Sequence, residues 1–341
     1  MTESLELLAS EMVPATEHEM REVLKAEDAN RDVFLGMMHY HMGWVNSSFN
    51  PVEGNSGKRI RPLLCLLSCE SAGGEWQRAI PAAASIELLH NFTLIHDDIQ
   101  DSSPTRRGQA TLWHIWGVNQ AINSGDAMFA LSHTAMSRLL SHDVPADSVV
   151  RALQRLDDTC LELTIGQYAD MSFEERVDVQ VDEYLAMTEG KTAALLSFAT
   201  EVGSLIAEQE STTIQHYAAF GRDLGLAFQV RDDILGIWGN EMLIGKSSST
   251  DIAGRKKSLP ILFGLSKSEA LRELYFDQNP SKDFVGQVIE ILDKVDARSF
   301  AEAHEMEYAT SALSHLEAAS PSGPAAGALR ELTASLLGRQ T

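Results

Sequence analysis

The stretch AIPAAASIELLHNFTLIHDDIQDSSPTRRG, residues 79–108, decides the fold class of this chain. Its first part, residues 79–96, is rich in alanine and leucine and has apolar side chains on most faces, which predicts a buried helix. That helix runs directly into three aspartates, Asp97, Asp98 and Asp101, and two arginines follow. A buried helix that ends in several carboxylates needs a partner that neutralises their negative charge.

The rest of the chain has the same helical character. Apolar residues recur at three- and four-residue intervals in further segments, and no long stretch alternates as a strand would. These segments are residues 121–142, 147–171, 181–209, 213–239 and 325–337. Because several of them are apolar nearly all round, we predict an all-α fold in the form of a large helical bundle.

We predict a single domain over residues 1–341, because no stretch has the composition of a linker between domains. Residues 240–258 are polar, rich in serine and interrupted by glycine. Long loops in compact domains are often functional, and we therefore expect an active-site loop there. Residues 1–15 are expected to form a flexible N-terminus.

Charge and composition exclude several classes of function. The formal net charge of −22 argues against a nucleic-acid surface, which needs a basic face, and against adhesion to anionic lipid. No apolar run approaches the ~18 residues of a membrane span, and the first residues are acidic, unlike a signal peptide. The 3 cysteines, Cys65, Cys69 and Cys160, show no pairing pattern, which suits a reducing compartment. We expect a cytoplasmic protein with no membrane insertion and no nucleic-acid partner.

The first acidic cluster points to a cation. Asp97, Asp98 and Asp101 fall within an arc of about 100° on their helix, where like charges repel. They also lie at the C-terminal end of the helix, where the helix dipole disfavours anions. Carboxylates without nearby cysteine or histidine ligands favour a hard ion such as Mg²⁺. The alternative is a solvated helix end.

A second acidic pair strengthens the metal hypothesis. Asp232 and Asp233 lie within LGLAFQVRDDILGIW, residues 224–238, where adjacent charges have no solvated face. Two independent acidic pairs on apolar helices favour a site for metal and phosphate over coincidence.

Basic residues occur in tight groups that could hold the phosphate. The groups are GKRIRP (57–62), RRG (106–108) and GRKK (254–257), with Lys191 and Lys246 standing apart. Arginine offers phosphate a planar fork, and lysine offers a compact charge. Metal on one side and arginines on the other would hold a diphosphate and stabilise its departure. Each group taken alone could equally be a solvated patch.

Six short motifs, in order along residues 55–265, resemble those of the trans-isoprenyl diphosphate synthases, the polyprenyl synthetase family. The motifs are GKRIRP (57–62), the aspartate-rich stretch with its upstream histidine and following arginines (87–108), GQYADM (166–171), GKTAAL (190–195), FQVRDD (228–233) and GKSSSTDIAGRKKSLP (245–260). Each motif alone is a weak signal, but six in the family's order are a strong one.

The resemblance implies a bundle of the isoprenoid synthase type I class around a deep central cavity, assembled as a homodimer. It implies that an allylic diphosphate ionises with the help of three Mg²⁺ ions and that isopentenyl diphosphate adds to the carbocation. The expected partners are therefore isopentenyl diphosphate and allylic prenyl diphosphates, and the expected product is a short-chain all-trans prenyl diphosphate.

The resemblance also implies the metal ligands by position. They would be Asp97, Asp98 and Asp101 on one wall and Asp232 on the other, with Asp233 binding or supporting the metal through water or a neighbouring lysine.

Substrate contacts are implied in the same way. The allylic diphosphate would be held by Arg106, Lys191 and Lys246. Isopentenyl diphosphate would be held by Lys58, Arg61, His90 and Arg107. Thr192 and Gln229 would line the carbocation region, and Lys256 would come from the closing loop.

Two features distinguish this chain within the family pattern. Gly236 stands where the family's second motif has its last aspartate, and Ser56 stands where a first glycine is frequent.

Phe92, about 7.5 Å before Asp97 along the helix, is expected to form the cavity floor beside the small Thr93. An aromatic residue at this position, in a first aspartate motif without a two-residue insertion, resembles geranylgeranyl diphosphate synthases. We therefore expect a C20 product, with C15 as the second expectation. The alternative for Phe92 is ordinary core packing.

Two other functions stay open from the sequence. A class I terpene synthase would share the metal site and act on one prenyl diphosphate, although it would not need Lys58, Arg61, His90 and Arg107. A non-catalytic partner subunit of a prenyl synthase would be expected to lose metal aspartates, whereas the first cluster is intact.

Overall fold

The computed structural model describes residues 3–25, 29–52, 57–239, 250–277 and 281–338, and these residues are almost entirely helical. The helices of the first half are α1 (Glu3–Val23), α2 (Ala29–His41), α3 (Ile60–Ser71), α4 (Ile80–Gln100), α5 (Leu112–Trp116), α6 (Val118–Ser137) and α7 (Ala146–Glu175). Two 3₁₀ turns, Trp76–Ala79 and Arg138–His142, precede α4 and follow α6. The strands β1 (Thr105–Arg106) and β2 (Gln109–Ala110) pair in an antiparallel hairpin.

The second half continues the bundle. Its helices are α8 (Val181–Thr188), α9 (Ala194–Ile206), α10 (Ser211–Trp238), α11 (Thr250–Ala253), α12 (Leu259–Lys267), α13 (Glu269–Phe276), α14 (Phe284–Lys294), α15 (Ala297–Ala318) and α16 (Gly323–Leu337). A π-helical turn, Glu189–Ala193, joins α8 to α9.

The long apolar helices pack on one another, as their sequence predicts. Helix α4 packs against α6, α3 packs against α9, and α10 packs against both α9 and α15. The prediction of an all-α bundle is confirmed. The predicted helix over 79–96 extends further, to Gln100, so the first two aspartates lie within α4 and the third caps it. The segment predicted as one helix over 181–209 is interrupted by the π turn.

The N-terminal segment differs from its prediction. Over residues 3–15 the expectation of a flexible N-terminus is wrong, because these residues belong to α1. Leu5 is 1% exposed and Met12 is fully buried in the core. An amphipathic helix of this length gains order from packing its apolar face. Cys65 and Cys69, which lie four residues apart on α3, are both free and buried in the core. None of the helices in the described ranges is long and apolar enough to cross a bilayer.

Arg59 anchors the GKRIRP segment to two helices. Its backbone is left-handed, with φ of 47°, and its side chain is fully buried at the start of α3. Nε donates to Glu17 Oε1 of α1 at 2.6 Å, and Nη1 donates to Glu87 Oε1 of α4 at 2.5 Å. The neighbouring Lys58 and Arg61 are thereby held against the bundle.

We expect Arg59→Ala to lower the free energy of unfolding by about 3–5 kcal/mol, because Glu87 would stay buried without its cation. Urea unfolding of the purified protein measures this. The matched control is Arg330→Ala, since Arg330 pairs with Glu317 but both side chains are about half exposed. That control should cost less than about 1 kcal/mol. Equal losses in the two variants would contradict the anchoring role of Arg59.

Candidate active site

A cavity of about 390 Å³ opens between α3, α4, α7, the π turn and α9. Both charged and apolar side chains line it. The charged and polar residues are Arg61, His90, Thr93, His96, Asp97, Gln100, Thr164, Gln167, Tyr168, Lys191 and Thr192, and the apolar residues are Phe92, Leu94, Leu163, Met171 and Leu195. A cavity with both kinds of lining suits an amphiphilic ligand.

The structure separates the three aspartates of the first cluster. Asp97 lines the cavity. Asp98 is 2% exposed and accepts a hydrogen bond from Arg106 Nε at 2.7 Å, on the side of a second, much smaller cavity. Asp101 is exposed at the C-terminal cap of α4. Helix spacing predicted that the three carboxylates share one face, but tertiary packing gives each of them different surroundings. Asp98 could bind metal only if Arg106 released it.

Asp97 fits a cation. Burial raises the pKa of Asp97 to about 6 against the lowering effect of Lys191, and Asp101 raises it further. Over residues 3–25, 29–52, 57–239, 250–277 and 281–338, no three His, Cys, Asp or Glu side chains converge closely enough to hold a metal by themselves. Mg²⁺ commonly takes only one or two carboxylates and completes its shell with water and phosphate oxygens. The carboxylate donors here suit that mode of binding.

The two basic groups before and after α4 meet at one end of the cavity. Gly57 has φ of +82°, and a Cβ on it would lie 3.4 Å from Arg107 Cζ, so the glycine backbone admits the guanidinium. Arg61 Nη1 lies 3.2 Å from His90 Nε2. Since arginine only donates, the histidine nitrogen accepts and the ring is neutral. Lys58 is exposed beside this group.

Burial and the nearby Arg61 and Arg107 lower the pKa of His90 well below its usual range. Arg61 Nε is buried and has no hydrogen-bond partner in the protein. Buried donors without partners are costly, so a ligand that brings acceptor oxygens would be favoured at this point. An anionic group such as a phosphate matches the requirement.

The π turn presents Lys191 and Thr192 to the cavity. Its backbone passes so close to α7 that a Cβ on Gly166 would lie 2.3 Å from Lys191 N. The glycine of GQYADM is thus needed for close approach. Lys191 Nζ donates to Asp170 Oδ2 at 2.5 Å, and Thr192 Oγ1 donates to Gln229 Oε1 at 3.1 Å. π turns are frequent at functional sites, because they re-aim side chains.

Asp233 is a hub of hydrogen bonds. It is fully buried, and its Oδ1 accepts from Gln229 Nε2 at 3.1 Å. Its Oδ2 accepts from the Tyr184 hydroxyl and from Leu259 N, the latter at 3.0 Å. Both carboxylate oxygens of Asp233 therefore already accept hydrogen bonds from the protein. Burial raises its pKa, and Lys256 Nζ, 4.0 Å from Oδ1, opposes that rise.

Asp232 is partly exposed, one residue before this hub. Its charge acts on Arg61 and Lys256, which puts it within electrostatic reach of both basic groups. Lys246 and Ser56 lie outside the described residues. Of the expected loop over 240–258, the structure describes residues 250–258, and the first four of them form α11 rather than irregular chain.

Phe92 and Thr93 line the cavity, one helical turn and more before Asp97 on α4. The Phe92 ring packs at 5.4 Å from the Phe129 ring and at 4.9 Å from the His96 ring. Thr93 Oγ1 donates to the carbonyl of His90 at 2.8 Å, so its methyl group rather than its hydroxyl is free for the cavity. Phe92 is thus a cavity wall and part of the core packing at once.

Sequence reasoning missed three residues that position the site. Asp170 holds Lys191, Tyr184 holds Asp233, and Asp251 approaches Lys256 within 3.7 Å. Asp170 lies in the quoted GQYADM motif and Asp251 in the lysine-bearing one, so both could have been found there. Tyr184 carried no signal, because its partner is remote in sequence.

Comparisons with known proteins agree with this geometry. Residues 43–292 match the sequence model of a family described as polyprenyl synthetase. A geranylgeranyl diphosphate synthase of Mycobacterium tuberculosis is 42% identical over 251 residues, 73% of this chain and 71% of that protein. A (2E,6E)-farnesyl diphosphate synthase of Mycobacterium bovis is 40% identical over 282 residues, 80% of this chain and 77% of that protein.

Solved structures show the same relationship. The crystal structure of a polyprenyl synthetase from Streptomyces coelicolor A3(2) has a TM-score of 0.88 at 30% identity and covers 98% of this chain and 99% of that one. That of a geranylgeranyl pyrophosphate synthetase from Pyrococcus horikoshii Ot3 has a TM-score of 0.87 at 30% identity, with coverage of 98% and 99%. Together with the match of the family's sequence model over most of the chain, these relatives establish that this chain belongs to the polyprenyl synthetase family.

Proposed function

We propose that this protein is a short-chain trans-prenyltransferase that condenses isopentenyl diphosphate with an allylic diphosphate. The observation that carries the proposal is the cavity, in which Asp97 and Lys191 share a space with apolar side chains that include Phe92. An amphiphilic prenyl diphosphate matches both kinds of lining. The family membership and the names of the relatives support the same reaction class.

Magnesium is the cofactor proposed, with three ions when diphosphate is bound. Asp97 and Asp101 on α4 and Asp232 on α10 would hold it, together with Asp98 once Arg106 turns to the substrate. When bound, Mg²⁺ neutralises the diphosphate and stabilises its departure as a leaving group.

Two groups of basic residues are proposed to bind the two diphosphates, one group for each diphosphate. Lys191 and Arg106 each have an aspartate partner in the structure, and a diphosphate oxygen would replace that carboxylate. Arg106, Lys191 and Lys246 are proposed for the allylic diphosphate, and Lys58, Arg61, His90 and Arg107 for isopentenyl diphosphate. The neutral His90 accepts from Arg61 and fixes its guanidinium, which leaves the unpartnered Nε for the ligand.

The carbocation region is proposed to lie beside Thr192 and Gln229. Gln229 accepts from Thr192 and donates to Asp233, so the amide is held in one orientation by both neighbours. Lys256 is proposed to close the site from the second wall. The apolar wall excludes water from the reacting carbons, which protects a cation from hydrolysis.

The product proposed is C20, with C15 as the second candidate. Support comes from the Phe92 ring, which lines the cavity and packs against the rings of Phe129 and His96. The relatives named above include both a geranylgeranyl and a farnesyl diphosphate synthase, so the names alone do not choose.

A homodimer is proposed because large apolar side chains are exposed along α7. Leu161, Ile165 and Tyr168 follow one another at helical spacing and are 60%, 58% and 74% exposed. A second copy of this chain, with the same exposed side chains, would be their natural cover. Sedimentation velocity would report the association state.

The three free cysteines support a reducing compartment such as the cytoplasm.

One product assay tests the proposed reaction. The protein is incubated with Mg²⁺, labelled isopentenyl diphosphate and, separately, dimethylallyl, geranyl or farnesyl diphosphate, and the products are dephosphorylated and separated by length. A labelled C20 or C15 alcohol that disappears with EDTA is expected. Consumption of an allylic substrate without incorporation of label would instead indicate a terpene synthase, and no turnover of any substrate would indicate a partner subunit.

A further inference from the structure

The end of α2 holds the hairpin that carries two neighbouring arginines. The hairpin turns through Arg107 and Gly108, whose φ values of 52° and 79° are both left-handed, as in a type I′ turn. Arginine is not favoured in such a turn, and a hairpin this short is barely stable by itself. The Tyr40 hydroxyl donates to the carbonyl of Ala110 in β2 at 2.8 Å. Helix α2 therefore helps to position the backbone of Arg107.

His41, the next residue of α2, lies beside the side chains of both arginines. It lines the small cavity of about 20 Å³ together with Asp98, Arg106 and Arg107. Burial, and then the charges of Arg107 and Arg106, lower the pKa of His41 to about 3. The ring is therefore neutral near pH 7, with one nitrogen that donates and one that accepts.

Asn91 of α4 orients this ring. Its Nδ2 atom donates to the carbonyl of Glu87 at 2.8 Å and to Glu87 Oε1 at 3.1 Å, which fixes the orientation of the amide. Asn91 Oδ1 and His41 Nε2 are both buried, and neither makes an ordinary hydrogen bond within the described residues. The Asn91 side chain nevertheless raises the pKa of His41, so the amide oxygen lies beside the ring. Since that oxygen only accepts, we assign the ring proton to the side of Asn91 and the accepting nitrogen to the other side.

Of the two arginines, Arg107 is the one suited to the accepting nitrogen. Arg106 Nε already donates to Asp98 Oδ1 at 2.7 Å. Burial lowers the pKa of Arg107, and the nearby cations Arg59 and Arg106 lower it too, although Glu87 opposes them. A buried guanidinium is stabilised by a hydrogen-bond acceptor, and a neutral acceptor does so without cancelling the charge that a phosphate needs.

The structure already contains one pair of this kind, in which Arg61 Nη1 lies 3.2 Å from His90 Nε2. We propose that His41 is a second positioning histidine, whose ring, oriented by Asn91, accepts a hydrogen bond from Arg107 and aims that guanidinium at isopentenyl diphosphate. This inference rests on the proposed function and adds to it a residue that lies outside the six sequence motifs.

Variants of His41 test the proposal through the Michaelis constants of the two substrates. His41→Phe and His41→Leu both remove the ring nitrogens but differ in shape, which guards against loss of the fold in either one. Each should raise KM for isopentenyl diphosphate by about tenfold or more, as loss of a hydrogen bond to a charged group does. KM for the allylic diphosphate should change by less than about twofold, because Arg106 keeps its own partner. His41→Gln can donate toward Asn91 and accept from Arg107, so it should restore most of the lost affinity.

A double-mutant cycle shows whether His41 acts through Arg107. If it does, His41→Phe should raise KM for isopentenyl diphosphate no further in an Arg107→Ala background. The matched control is His39→Phe, since His39 lies on the same helix and its Nε2 is 3.1 Å from the carbonyl of Leu24. The control should leave both Michaelis constants unchanged. Circular dichroism checks that each variant is folded.

A wild-type KM for isopentenyl diphosphate in the folded apolar variants would overturn the role of His41 and leave the proposed function standing. An equal rise in both Michaelis constants would overturn it too, since that result indicates general damage to the site. The same holds for a His41→Gln enzyme as impaired as His41→Phe, and for additive effects in the cycle. If the wild type never incorporates isopentenyl diphosphate, the proposed function itself is refuted, and this inference with it.

Discussion

Asp97→Asn is expected to reduce kcat by about 100- to 1,000-fold and, in the same protein, to increase stability without Mg²⁺. The loss of activity follows because Asp97 is the acidic residue of α4 that lines the cavity. An uncharged amide binds a hard cation far more weakly, and loss of one electrostatic contact to a departing group has an effect of this size. Steady-state kinetics with the product assay above measures it.

The gain in stability follows from the pKa of Asp97. Burial raises this pKa to about 6 in the folded protein, from an ordinary value of 3.8. The folded state therefore resists ionisation, and the carboxylate costs stability at every pH above about 6 and nothing below 3.8. Asparagine carries no such cost. Thermal unfolding at pH 7 in EDTA should show a gain on the order of 2 kcal/mol, and that gain should vanish at pH 4.

The expected loss of activity together with the expected gain in stability distinguishes a functional role of Asp97 from a structural one. A residue that only supports the fold would lower stability and activity together when replaced. The control is Asp147→Asn, which removes an exposed carboxylate on α7 and should change neither quantity appreciably. An active Asp97→Asn enzyme would contradict the proposed metal contact, and an unchanged stability at pH 7 would contradict the burial cost.

Phe92→Ala is expected to shift the product beyond C20. The ring lines the cavity and packs against Phe129, so its removal would open space toward Phe129. A growing prenyl chain would then continue until it meets that second ring. Product chromatography measures the shift, and Phe92→Leu, whose side chain is smaller than phenylalanine but larger than alanine, should give an intermediate mixture.

Two variants sharpen this test. Thr93→Ala removes little volume beside the same wall and should leave the product length unchanged. Phe92 also packs in the core, so Phe92→Ala is expected to cost about 3 kcal/mol or more, as other buried aromatic truncations do. Product length, unlike total activity, does not depend on the folded fraction. Unchanged products from a folded Phe92→Ala enzyme would remove Phe92 from the cavity floor.

Much of the architecture was predictable from sequence because it depends on local periodicity. The helix predicted over 79–96 was evident from its alanine and leucine content, and its burial followed from apolar residues on most faces. The prediction failed at residues 3–15, where composition suggested flexibility and contact with the bundle orders a helix.

The site was predictable only as a set of residues. Helix spacing put Asp97 and Asp98 on neighbouring faces, but it could not show that Arg106 would take one of them and the cavity the other. Asp233 was identified as important, yet its partner Tyr184 stands 49 positions earlier.

By itself, the sequence determined the helical class, the acidic and basic motifs and their order, and through these the family. Each of these depends on residues within a few turns of one another. Only the tertiary structure decided which carboxylates face the cavity and what Arg59 holds together. These depend on contacts between residues far apart in the chain, and helical periodicity carries no information about which helix will be the neighbour.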